Sequence, residues 1–104
     1  MSVENERIER IILAVSNEFN LNPVAILSKK RGDKPVCIGR QVVALLLRDN
    51  MHRSDLARLL GRDSEQYVSG AVRGVTRRAV MDHDFFISVA KLCDRFSVNW
   101  RELP

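Results

Sequence analysis

Apolar residues recur at helical spacing along most of the chain. Between residues 4 and 19, Ile8, Ile11, Ile12, Val15 and Phe19 form one stripe, with Glu4, Glu6 and Glu9 near the positive end of the helix this predicts. Asn22-Pro23 restarts a helix, because asparagine caps well and proline's missing N–H costs nothing at the first helical position. Val24, Ile26 and Leu27 make that helix short and partly buried. Residues 42–47, Val-Val-Ala-Leu-Leu-Leu, are apolar all round and predict a helix central to a bundle. Asp82 caps a helix in which Phe85, Phe86, Val89, Leu92, Cys93 and Phe96 share a buried face. A last turn over 97–103 packs Trp100 back on the bundle.

Residues 54–78 read as a short helix, a tight turn and a longer helix. Ser54 caps the first helix, Leu56, Leu59 and Leu60 fall on one face, and Gly61 permits a left-handed stop. Ser64 caps the second, whose apolar side is Val68, Ala71, Val72 and Val75, while Gln66, Ser69, Arg73 and Arg77 occupy the wet face. A helix-turn-helix with a polar, arginine-bearing second helix suits a DNA major groove. The same pattern also suits a plain scaffold hairpin.

Charge shifts the balance. The 104 residues carry +4, but residues 29–78 hold twelve Lys/Arg against five Asp/Glu, or +7, and the remainder is −3. A basic middle between acidic ends implies one positive face, as a polyanion partner requires; the alternative is a solvated surface. Residues 28–39, Ser-Lys-Lys-Arg-Gly-Asp-Lys-Pro-Val-Cys-Ile-Gly, read as an irregular connection loaded by Lys29, Lys30, Arg31 and Lys34, able to lie along phosphates or enter a minor groove. Arg40 and Gln41 are expected to open the central helix, where a cation opposes the helix dipole unless a phosphate arrives.

Other chemistry is not signalled. Cys37 and Cys93 are isolated and read as packing residues in a reducing cytoplasm, and His52 and His83 read as surface residues without ligand or triad spacing. No paired carboxylates, triad or Gly-rich phosphate loop is found, so no enzyme, cofactor or ATP binding is expected. The charged N-terminus is unlike a signal peptide and no apolar run approaches membrane-spanning length, so one cytoplasmic, nucleoid-associated domain over 1–104 is expected, without a membrane partner.

Taken in order, the first helix, the short second one, Ser28-Lys29-Lys30-Arg31, Arg40-Gln41 and the helix-turn-helix with Gly61-Arg62-Asp63 resemble the C-terminal DNA-binding domain of the bacterial replication initiator DnaA, over roughly residues 6–96. The resemblance implies an all-α, six-helix, Trp-repressor-like bundle with its second motif helix in the major groove. It also implies Lys30 or Arg31 in the minor groove and Arg40 and Gln41 on phosphates. The family signature Gly-Gly-Arg-Asp-His-Thr-Thr-Val is here Gly61-Arg62-Asp63-Ser64-Glu65-Gln66-Tyr67-Val68, so the reading triplet is replaced whether the match runs through Arg62-Asp63 or back from Arg73. The loop before the motif is shorter than usual, and the family's AAA+ ATPase has no counterpart in these residues.

The expected reading is a monomeric, sequence-specific duplex-DNA-binding protein of a bacterium or phage, regulating replication initiation or transcription, with a second replication or regulatory protein as a further partner. Its contacts would be Lys29, Lys30, Arg31, Lys34, Arg40 and Gln41, then Arg62, Ser64, Glu65, Gln66, Tyr67, Ser69, Arg73 and Arg77. Glu65 suits a cytosine amino group and Gln66 suits adenine. The alternative is a protein–protein adaptor on the same scaffold that has lost base reading.

Overall fold

Six helices, and no strand, occur among residues 3–99, the residues described by a computed structural model of the chain: α1 (Val3–Phe19), α2 (Pro23–Ile26), α3 (Lys34–Leu47), α4 (Arg53–Leu59), α5 (Gln66–Met81) and α6 (His83–Arg95). Val42 to Leu47 are buried on every side, so α3 runs through the middle, packing most extensively against α5 and then α1. The α1 stripe closes one side of this core with Ile11, Ile12 and Val15, as its spacing predicts. For Glu4 only the helical backbone is described. Leu56 and Leu60 of the α4 segment and Val68, Ala71 and Val75 of α5 close the other side.

Three expectations about helix ends need correction. Residues 34–39 are the first turns of α3 and not loop: Asp33 accepts the Val36 N–H at 3.3 Å, and Pro35 sits in the first turn, where its missing N–H is harmless. Gly39 is buried inside that helix, where an added Cβ would lie 2.5 Å from Leu21 Cδ1. Arg40 and Gln41 therefore lie well within α3 and do not open it. The cap of α4 is His52, whose Nδ1 accepts the Ser54 N–H at 3.2 Å; Ser54 lies inside the first turn. Both histidines are exposed, as expected.

Asp82 does cap α6, accepting the Phe85 N–H at 3.1 Å. Phe86 is 37% exposed and stacks on the His83 ring, a departure from the expected buried stripe. Adjacent helical residues point about 100° apart, and here only one of the pair reaches the Phe19 side of the core. Phe85 takes that place, its ring centroid 5.8 Å from that of Phe19. Cys93 is buried in the core and Cys37 is half-buried. Trp100 and most of the expected last turn lie outside the described residues, and Ser97 to Asn99 are not helical. No helix among the described residues is long and apolar enough to cross a membrane, and none of their His, Cys, Asp and Glu side chains cluster to hold a metal ion.

Candidate nucleic-acid interface

The segment between α2 and α3 is held by a buried arginine. Arg40 is 2% exposed, and among the described residues no carboxylate pairs with it. Its Nε donates to the Ile26 carbonyl at 2.8 Å; the two Nη2 hydrogens are shared among the carbonyls of Ala25 at 2.8 Å, Ser28 at 3.1 Å and Lys30 at 2.7 Å; Nη1 donates to the Arg31 carbonyl. A guanidinium has five N–H donors in a fixed fork, and carbonyl dipoles here replace both water and a counter-charge. The consequence is directional. With the carbonyls of Lys30 and Arg31 turned in toward it, the side chains of Lys29, Lys30 and Arg31 are exposed.

The helix-turn-helix meets this loop directly. Gly61 has φ +73°, the left-handed stop that its position predicts, and a Cβ there would lie 2.8 Å from the Ser28 carbonyl oxygen and 2.9 Å from Lys29 Cα. Arg62 then bridges the two segments: Nε donates to the Leu60 carbonyl at 3.1 Å, and Nη2 to the carbonyls of Lys29 and Lys30, each at 3.3 Å. Basic loop and motif turn are thus joined directly ahead of α5.

Over 101 residues, 95% of its length, the chain is 31% identical to the chromosomal replication initiator protein DnaA of Aliarcobacter butzleri, and it spans 23% of that protein's length. The chain is similar to the C-terminal part of DnaA. No protein-family model matches it.

Within this DnaA-like frame, α5 presents a ridge of Gln66, Gly70, Arg73 and Arg77, all exposed and spaced to share one face. Ser64 does supply a cap contact, its Oγ accepting the Gln66 N–H at 3.2 Å, although α5 begins two residues later and Glu65 makes no side-chain cap bond. Ser64 and Glu65 are exposed at the head of the ridge, and Ser69 is half-buried on its flank.

Tyr67 departs from the outward set, because it is half-buried and packs against the core. Burial raises its hydroxyl pKa above the ordinary value of 10.0; the nearby Arg62 and Arg40 charges oppose the rise and Cys37 adds to it. Gln41 is also half-buried, its side chain filling the notch at Gly74, where an added Cβ would lie 3.0 Å from Oε1. Lys34 is exposed in the first turn of α3.

Two arginines escaped the sequence reading. Arg48 and Arg53 line a groove of about 610 Å³ together with Asp49, Val68, Ser69, Val72 and Arg73. Arg48 Nε is covered yet donates no hydrogen bond, and its contact with Asp49 Oδ1 spans 3.7 Å. Arg53 is exposed in the first turn of α4. From sequence, residues 50–53, Asn-Met-His-Arg, read only as the turn into the motif, and Arg48 lies just before them. Only the packing of α3 on α5 brings Arg48 into the same groove as Arg73.

Proposed function

We propose that this chain binds duplex DNA sequence-specifically, with α5 in the major groove, and regulates replication initiation or transcription in a bacterium or phage. The observation that carries this reading is the loop gripped from inside by Arg40, with its exposed cations tied through Arg62 to the turn that leads into α5. Lys29, Lys30, Arg31 and Lys34 take phosphates or the minor groove on one flank. Arg53, at the start of α4, and Arg77, on α5, take further phosphates. Gln66 reads adenine and Glu65 cytosine, pairings that side-chain geometry favours. Arg40 serves as the clasp that shapes the loop, Gln41 sets the α3–α5 spacing, Arg62 joins loop to motif, and Tyr67 anchors the helix head. The protein works as a monomer in the cytoplasm on nucleoid DNA, without a catalytic step of its own, and meets the replication or regulatory machinery there.

A titration of duplex DNA at two salt concentrations tests this. Each phosphate contact contributes a slope of about −0.9 in log K against log salt, so about four to six contacts give a fall of roughly four to five log units per tenfold salt. Arg53→Ala should reduce that slope by about one for all sequences, whereas Gln66→Ala should alter preference among sequences at a cost of about 1 to 3 kcal/mol. An adaptor reading draws on Val80 and Met81, each 83% exposed at the end of the ridge. Absence of duplex binding at low salt would decide for the adaptor.

A further inference from the structure

Of the five glycines, four are explained by the fold: Gly32 and Gly61 have positive φ, Gly39 accommodates Leu21, and Gly74 accommodates Gln41. Gly70 is different. It lies in the interior of α5 with helical backbone, is exposed, and has nothing within 4 Å of where a Cβ would stand. A glycine there weakens the helix relative to alanine and spares no clash within the protein. It also lies on the ridge between Gln66, one turn before it, and Arg73, one turn after it.

We infer that Gly70 is the point at which the α5 backbone comes closest to the base edges, and that it sets the depth from which Gln66 and Arg73 read; this rests on the duplex-binding reading above. A helix with its side chains nearly fills a major groove, at about 10–12 Å against a groove about 12 Å wide. Removing one side chain at the centre of the contacting ridge lets the axis sit deeper. The long side chains on either side then straddle the contact. Arg73, already placed beside Ser69 at the edge of the arginine-lined groove, reaches the floor in the geometry that suits two hydrogen bonds to guanine O6 and N7. Gly70 is thus a positioning residue, and Arg73 a base-reading residue whose partner is guanine.

The test uses the full chain and a duplex enriched from a random pool by the wild-type protein, with the unselected pool as the random probe. Gly70→Ala should raise Tm by about 3 to 6 °C, because alanine is the better helix former and has room. The same variant should bind the selected duplex at least tenfold more weakly and the random pool within twofold of wild type. Arg73→Lys should lose preference for the guanine-containing positions of the selected site. Selected-duplex affinity within twofold of wild type for Gly70→Ala overturns the inference, as does a fall in Tm, which would place the reason for glycine inside the fold. Failure of the wild type to enrich any sequence overturns the duplex-reading proposal itself, and is distinguishable because it appears before any variant is made.

Discussion

Replacing Arg40 is the sharpest test of the clasp. In Arg40→Met the packed methylene stem is kept in kind and the fork is lost. Three of its five acceptors retain other donors: the Ala25 carbonyl accepts the Ser28 N–H, the Lys30 carbonyl accepts Arg62 Nη2, and the Arg31 carbonyl accepts the Cys37 thiol. The carbonyls of Ile26 and Ser28 depend on Arg40. Orphaning a buried acceptor costs about 1–3 kcal/mol, and loop relaxation toward water returns some of it, so the expected loss is about 2–4 kcal/mol. That is a large part of a domain stability of about 5–15 kcal/mol. Arg40→Lys keeps the charge with three donors in place of five and should recover about half of the loss. Urea unfolding measures both variants. In binding, Arg40→Lys should weaken selected and random duplexes alike, with the salt slope unchanged, because the guanidinium faces carbonyls and not phosphates. The reasoning is refuted if Arg40→Met is within about 0.5 kcal/mol of wild type while the salt slope falls by about 0.9, the signature of a lost phosphate contact.

Two further outcomes are expected. Gly61→Ala must hold a left-handed backbone, costing about 1–2 kcal/mol, and also push away the Ser28–Lys29 backbone; its urea midpoint should fall, and binding to every duplex should weaken because the loop leaves the motif, whereas a wild-type midpoint would refute that close packing. Burial, with Asp94 adding and Arg48 opposing, pushes the Cys93 thiol from its ordinary 9.0 up to about 11. The unfolded thiol therefore ionises first: the contribution is fully present below pH 9 and is lost as pH rises to 11, roughly 2–3 kcal/mol at most. Cys93→Ala should flatten the stability profile across that window, and an unchanged slope would show that the thiol does not carry it.

What was legible in the chain, and what was not, follows from which forces are local. The α1 stripe, the Asn22 and Asp82 caps, the buried interior 42–47 and the Gly61 stop depend on spacing and backbone chemistry within a few residues, and each is found where the pattern puts it. The start of α3 was hidden because Gly32, Pro35 and Gly39 read as punctuation. Proline is harmless in the first turn, and Gly39 is required by Leu21, a neighbour that sequence spacing does not reveal. Arg40 was hidden for the same reason on a larger scale. A lone arginine without an acidic neighbour reads as a free cation, yet its counterparts are main-chain carbonyls nine to fifteen residues earlier, which carry no side-chain signature.

That displacement changes where specificity can come from. If Arg40 shapes the loop from behind, the loop's outward cations are interchangeable for phosphate binding as long as the clasp holds. Tyr67 faces the core, so it leaves the head of α5 to Glu65 and Gln66. On the proposed duplex-reading role, discrimination among sequences would then extend down the helix to the ridge through Gly70 and Arg73, one to two turns beyond the Ser64–Tyr67 segment where the chain departs from the DnaA signature.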